Sequence, residues 1–484
     1  MPCTTILAGK KATYDGSTMI ARNEDYQYTV KKMVVVNPKD QPRKYKTVLS
    51  HLEIELPDNP MRYTACPNVD KKEGIWAGSG INACNVGMTA TETITTNPRV
   101  MAADPLVMYQ KAEKRGQKDI PGGIGEEDLV VLVLPYIHNA REGVTRLGQL
   151  LEQYGTYEMN GIAFNDENEV WWFETIGGHH WMARRVKDEE CVIMPNQLGI
   201  DFFDFKDAYG KQENFMCSAD LKDFVKKNHL DTNNDGKFNP RKVFGSHDDS
   251  DHLYNTPRGW YMARYFLPTT YKWDGEDADF TPESDNIPWS FVPESKVTME
   301  DIKYLLSSHY QGTPYDPYSK TEDPRKGKYR CISVSSTAHS SIMQIRGYMP
   351  EPIKGVEWVF FGSAIHNAMV PVYVNVEKLP AYLSKVTLDP TLDNFYWASR
   401  MVDAMADPNY RDCVRDIETY QMTMASKGRR LICEYDAKMV ETKDFSLCAE
   451  ANEKICAMAK KETTDVFGKV LLAASKNMKN TYVR

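Results

Sequence analysis

The chain has 484 residues, 42% of them hydrophobic and 26% charged, which is globular composition at a length of roughly three domains. With 59 basic against 67 acidic residues the net charge is −8, which argues against a nucleic-acid partner or an anionic membrane surface. No apolar run approaches the ~20 residues of a membrane span, and Thr4–Gly9 is too short for the core of a secretory signal, with Lys10 and Lys11 on its wrong side. A cytoplasmic location is expected, with a secreted or periplasmic one if the sequence is a trimmed precursor. Ten cysteines, at positions 3, 66, 84, 191, 217, 331, 413, 433, 448 and 456, form no C-x-x-C pair and are too sparse for a disulfide framework.

Cys3–Gly9 reads as a strand and Ser17–Asn23 as its return, with Asp15-Gly16 as a turn signal between them. A two-residue turn there would set Cys3 opposite Tyr28. A wider loop over Lys10–Gly16 would set it opposite Asn23, flanked by Arg22 and Asp25. Both registers fit the sequence, and a role for Cys3 needs the wider loop. Val34–Asn37 and the glycine-rich Trp76–Met88 continue the strand pattern. Asp128–His138 and Arg141–Gln153 read as helices, the second with Val144, Leu147, Leu150 and Leu151 at helical spacing and Gly155 as its stop. Gly161–Glu174 reads as a hairpin, extended by Trp181–Val186 and Cys191–Pro195 into an antiparallel meander. Residues 201–285 are polar, aromatic and loop-rich. Cys331–Met343, Trp358–Ser363 and Val370–Val376 return to strand character. Beyond about Lys385 the pattern becomes amphipathic helices, Tyr396–Met405, Asn409–Ser426 and Phe445–Lys461. Strand-rich halves around two helices, with a helical tail, predict an α+β layered fold of antiparallel sheets.

The chemistry of interest begins at Cys3. If Met1 and Pro2 are removed as a short leader, Cys3 carries both a thiol and a free α-amine. An α-amine with a pKa of roughly 7.7–8.0 is a suitable general base near neutral pH. A terminal amine activating its own residue's side chain is an established route to a nucleophile. Pro2 makes that route depend on processing, because removal of Met1 alone leaves the Cys3 amine blocked.

Cys3-Thr4-Thr5, Asp15-Gly16-Ser17 and Ala21-Arg22-Asn23-Glu24-Asp25 resemble the opening of the N-terminal-nucleophile cysteine dipeptidases, the dipeptidase A family. The secernins are related to that family, and penicillin V acylase and the bile-salt hydrolases are more distant cousins. Gly80–Met88, Trp171–Trp181, Pro195-Asn196-Gln197, Tyr254–Arg258 and Gly312–Tyr318 resemble further segments of it in the same order. The resemblance covers about residues 3–380. It implies a four-layer αββα sandwich of two antiparallel sheets over residues 3–384, with a helical extension over 385–484 packed on that core.

Residue by residue, the resemblance makes Cys3 the nucleophile and Arg22 the arginine beside it, favouring thiolate over thiol. It makes Asp25 the carboxylate that accepts from the new α-amine. Asn82 and Asn196 match oxyanion-hole positions of the distant acylases, where neutral fixed donors meet developing negative charge. Arg258 matches a second active-site arginine, with Arg264 as competitor. The implied activity is hydrolysis of dipeptides through a thioester, with no metal or cofactor and with assembly as a homo-oligomer. The alternatives are amidase chemistry on non-peptide N-acyl substrates, or a non-catalytic secernin-like protein. Acidic loops between Asp201 and Asp285 are candidates for recognising a substrate α-ammonium.

Three features tempt and are discounted, the first being the run His247–His252, which could bind metal but is read as a solvated acidic loop. Asp231–Gly236 copies the start of an EF-hand loop, with Asn239 at the ninth place, but Lys242 stands at the twelfth where a glutamate belongs. His179 and His180, read as adjacent strand residues, would point to opposite faces and could not share a ligand.

Overall fold

The computed structural model describes residues 3–26, 28–90 and 92–479. Two large antiparallel sheets form its centre. The first runs Ser290–Phe291, Cys191–Met194, Thr4–Ala8, Thr18–Asp25, Thr337–Ile345, Gly355–Phe361, Val370–Tyr373. The second runs Phe215–Cys217, Trp181–Val186, Val170–Thr175, Asn160–Asn165, Gly87–Thr89, Ser79–Ile81, and Glu92–Thr93 also pairs with Asn160–Asn165.

Side-chain alternation along the strands builds three apolar layers. Ile6, Ala8, Met19 and Ala21 face a cluster shared with the helices on the outer side of the first sheet. Leu7 and Ile20, one residue out of step, face the space between the sheets with Trp172, Met182 and Met343. Trp171 and Phe173 turn to the outer side of the second sheet, where Val144, Leu147 and Leu151 of the helix Ala140–Tyr154 cover them. Strands buried on both faces are therefore apolar at consecutive positions, as in Cys191–Met194. The order is helix, sheet, sheet, helix: an α+β sandwich, with a C-terminal helical region.

That double burial corrects one expectation. Cys191–Met194 does not extend the meander. It crosses to the first sheet and pairs with the opening strand, Thr5 opposite Met194. Val192 and Met194 face the gap between the sheets while Cys191 and Ile193 face the helices, a two-sided role that the half-covered edge of a meander would not provide.

The tail helices are longer than the periodicity suggests, at Phe395–Ala406, Tyr410–Thr442 and Leu447–Lys476. Gly428 looks like a stop, but the helix continues through it. A Cβ there would lie 2.9 Å from Pro371 Cδ, so the glycine lets the helix lie close on the first sheet. Arg346, just past the strand Thr337–Ile345, pairs with Asp436 of the helix at 2.5 and 3.1 Å. Asn452 of the last helix bonds both the N–H and the C=O of Tyr373. Among the described residues no helix is long and apolar enough to cross a membrane.

Candidate active site

The opening hairpin uses the wide loop, but with a register one residue from the expected one. Thr4 lies opposite Asn23 and Thr5 opposite Arg22, so Cys3 continues toward Glu24. The shift decides the chemistry, because a one-residue slip sends every side chain to the other face. In this register Cys3, Thr5, Arg22 and Glu24 share the face between the sheets. Asn23 and Asp25 face the helices.

Cys3 is fully buried. Its sulfur accepts from Arg22 Nη2 at 3.0 Å, and the same nitrogen donates to Glu126 Oε1 at 2.7 Å. Arg22 Nη1 reaches Glu24 Oε2 at 3.2 Å and the Gly78 carbonyl at 3.4 Å. Gly78 has to be glycine. Its φ is +48°, and a Cβ would meet His339 at 2.5 Å and Glu24 at 2.9 Å. Burial opposes the Arg22 charge, but Cys3, Glu126 and Glu24 more than offset it. Burial also pushes the Cys3 thiol up, to about 12, against the opposing pull of Arg22.

Behind this pair lies a buried ionic cluster that sequence reasoning missed. Glu24 pairs with Lys31, and its other oxygen lies 3.2 Å from His339 Nδ1. Lys31 also donates to the Trp76 carbonyl at 2.8 Å. Burial disfavours the Glu24 charge, yet Lys31, His339 and Arg22 hold its carboxyl well below the usual range. Glu126 is fully buried, and burial raises it to about 7 although Arg22 pulls the other way. Its neighbours Glu127 and Asp128 are also raised, chiefly by burial, and accept from Tyr157 at 2.6 Å and Tyr45 at 2.5 Å. The only signal in the sequence was the run Glu126-Glu127-Asp128 ahead of an apolar stretch, which reads as an ordinary helix start.

Asp25 accepts from Thr337 Oγ1 and from Arg330 Nη2, each at 2.5 Å. Arg258, from the helix Thr256–Phe266, donates to the Cys3 carbonyl and to Thr4 Oγ1 at 2.7 Å. Its other hydrogens go to Tyr254 O, Pro195 O, Asn196 Oδ1 and Asn255 Oδ1 at 2.6–3.0 Å. Burial and the neighbouring Arg330 lower this guanidinium to about 10, so it stays charged at neutral pH. Arg264, one helical face away, pairs with Asp274 at the surface instead.

Asn196 sits just past Met194, on the other flank of Cys3. Its φ is +66°, a left-handed conformation asparagine tolerates. Its N–H donates to Glu92 Oε1 at 2.5 Å and its amide to the Thr93 carbonyl at 2.8 Å. Asn82 is placed differently. Both its amide hydrogens go to backbone carbonyls, Leu134 at 2.9 Å and Ile137 at 2.7 Å, and its oxygen accepts from Cys84 and Val86. The structure thus brings Cys3, Arg22, Asn196 and Arg258 into one hydrogen-bonded set, with Asp25 on the opposite face of the strand and Asn82 tying its own turn to the Leu134 and Ile137 carbonyls. Met1 and Pro2 lie outside the described residues.

The discounted features resolve simply. Asp231 and Asp235 accept from backbone N–H groups two residues on, and Asn239 caps the helix Pro240–Phe244. His179 and His180 do share a partner: both bond the Asp104 carboxylate, at 3.2 and 2.7 Å. They precede the strand Trp181–Val186 rather than belonging to it, so strand alternation does not separate them.

A two-sheet α+β sandwich with a buried, charge-lined cysteine at the head of its central hairpin is the class of protein these observations define. Sequence comparison gives the family: residues 2–423 match Peptidase family C69, and the chain belongs to it. A protein of Bifidobacterium longum named "Dipeptidase" is 55% identical over 91% of this chain and 83% of its own length. "Probable dipeptidase A" of Streptococcus pyogenes serotype M3 is 47% identical over 100% of this chain and 99% of its own. "Dipeptidase A" of Lactobacillus helveticus is 41% identical over 97% and 96%.

Proposed function

We propose that this protein is a cysteine-type dipeptidase whose nucleophile is Cys3, acting through a thioester. The observation that carries the reading is the 3.0 Å contact between the buried Cys3 sulfur and Arg22 in a chain of a peptidase family. A thiol that burial pushes up to about 12 is protonated at neutral pH, so the site needs a base beside the sulfur. Once Met1 and Pro2 are removed, the Cys3 α-amine fills that role. It takes the thiol proton, and sulfur attacks the scissile carbonyl carbon. The resulting oxyanion collapses to a thioester as the amine's proton passes to the leaving amino acid. Water then cleaves the thioester and restores the thiol.

Arg22 favours the thiolate, and Arg258 fixes the Cys3 backbone so that the sulfur keeps its aim. Asp25, held by Arg330 and Thr337, orients the amine. Asn196 and Asn82 are the proposed oxyanion donors. Asn82 now gives its amide hydrogens to two backbone carbonyls and Asn196 gives its amide to the Thr93 carbonyl, so the role entails an exchange of partners when substrate binds. Homo-oligomeric assembly and a cytoplasmic location belong to the same proposal and are tested by native mass and by cell fractionation.

The deciding experiment joins intact-mass analysis of purified protein to a substrate panel of dipeptides, penicillin V and glycocholate. The reading expects mature protein to begin at Cys3, to cleave dipeptides only, and to lose at least 10³-fold activity in Cys3→Ser. Full activity in a species that retains Pro2 sinks the terminal-amine mechanism. Cleavage of the acylase substrates in place of dipeptides sinks the substrate class.

A further inference from the structure

Glu126 has an oxygen that no described residue uses. Its Oε1 accepts from Arg22, while Oε2, fully buried, has no hydrogen-bond partner among the described residues. A buried, unpaired carboxylate oxygen is costly unless something completes it. Its position is specific. Sulfur, Arg22 Nη2 and Glu126 follow one another at 3.0 and 2.7 Å, so the carboxylate lies no more than two hydrogen-bond lengths from the sulfur.

Covalent geometry says what belongs there. With N–Cα near 1.46 Å and Cα–C near 1.52 Å, a residue's nitrogen lies ~2.5 Å from its own carbonyl carbon. A carbonyl carbon poised for attack sits ~3–3.5 Å from the nucleophile. In a dipeptide the attacked carbonyl belongs to the first residue, so the nitrogen beside it is a free ammonium. In any peptide extended on that side it is a neutral amide.

The local charge also fits a cation. Glu126 offers its backbone N–H to Glu158 Oε1 at 2.6 Å, which sets a second, half-buried carboxylate beside the first. Glu24 adds negative charge nearby, and both Glu158 and Glu24 are among the groups that raise Glu126, after burial itself. Among the described residues, the side-chain cations here are Arg22, shared between Cys3, Glu24 and Glu126, and Lys31, spent on Glu24 and a carbonyl. We propose that Glu126, supported by Glu158, binds the α-ammonium group of the substrate's first residue and so confines the enzyme to peptides with a free amino terminus. This rests on the dipeptidase reading and identifies the group that selects its substrates. It also moves amino-terminal recognition away from the acidic loops between Asp201 and Asp285.

The test compares leucyl-leucine with N-acetyl-leucyl-leucine in processed, full-length wild type, Glu126→Gln and Glu158→Gln. Wild type is expected to prefer the free dipeptide by at least 10³-fold in kcat/KM. Glu126→Gln should lower kcat/KM for the free dipeptide about 10²-fold, mainly through KM, and shrink the preference to within about tenfold. Glu158→Gln should do the same to a smaller degree. A merely structural role would slow both substrates alike and leave the preference intact, which overturns the proposal. Wild type cleaving both substrates equally overturns it alone, with no variant needed. Wild type cleaving neither overturns the dipeptidase reading and this proposal together.

Discussion

Arg258→Lys separates the positioning of the nucleophile from the mere presence of charge. Arg258 donates to six acceptors, Cys3 O, Thr4 Oγ1, Pro195 O, Asn196 Oδ1, Tyr254 O and Asn255 Oδ1, all of them neutral. A lysine ammonium has three donors, so at least three of these acceptors lose their partner. At about 1 kcal/mol or more for each buried acceptor, the loss is about 3 kcal/mol. For 484 residues unfolding together, at ~2.1 cal/mol/K per residue, that is a fall in Tm of about 3 °C. Activity should suffer more than stability. The bond to the Cys3 carbonyl fixes the backbone of the proposed nucleophile, and a displacement of ~1 Å costs ~10²-fold in rate. Differential scanning calorimetry and steady-state hydrolysis of leucyl-leucine are the assays, with the fall expected in kcat and with KM within threefold of wild type. Arg264→Ala is the control. Its pair with Asp274 lies at the surface, so Tm and kcat should both hold. An Arg258→Lys protein with wild-type kcat refutes the reasoning, as does Arg264→Ala producing the larger loss.

The two asparagines should part company. Asn196→Ala is expected to lower kcat by ~10²–10³, the usual consequence of losing an oxyanion donor. Asn82→Ala should first cost stability, about 2 kcal/mol or more, because four backbone groups lose a buried partner; a thermal melt that leaves Asn82→Ala at the wild-type Tm contradicts this. The buried carboxylates predict a pH slope in stability. Folding raises Glu126 to about 7 from 4.5, with Glu127 and Asp128 also raised, so the folded state holds protons that the unfolded chain has released. Stability from these groups is fully present below about pH 4.5 and is lost as pH rises through 7. Tm should therefore be higher at pH 5.5 than at pH 8.5, and Glu127→Gln should flatten the difference; a Tm rising over that range contradicts the assignment. Gly80→Ala should destabilise strongly, since its Cβ would meet the Thr64 carbonyl oxygen at 1.9 Å, and soluble yield with a melt measures it.

What the sequence reveals here is what repeats locally. The short apolar run Ile6-Leu7-Ala8 and the hairpin Asn160–Thr175 with its turn are written locally, and so is the helix Ala140–Tyr154, in its spacing and its Asn139 cap. Ordered segments spread along the chain pointed to Cys3, Arg22, Asn196 and Arg258, which do meet. Register escaped, because a loop of nine residues between Ala8 and Thr18 leaves the pairing to the rest of the sheet. The ionic cluster escaped for another reason. Lys31 stands beside Lys32 and reads as surface, and Glu126 and His339 arrive from opposite parts of the chain, so no window of sequence contains their relation.

The register and the cluster are linked by cost. Placing Arg22 and Glu24 on the face between two sheets takes charges out of water, which folding tolerates only when each finds partners. Lys31, His339, Glu126 and the Gly78 carbonyl provide them. The strand Thr18–Asp25 is buried on both faces, so neither register would put Arg22 and Glu24 in solvent, and their burial is best understood by what they surround. They fix a guanidinium 3.0 Å from one sulfur, while the buried Glu126 Oε2 has no hydrogen-bond partner among the described residues. Neutralising Glu126 alone should then leave Arg22 bound to Glu24 and the thiol contact in place. Under the proposal above, what it removes is selection of the substrate rather than the nucleophile.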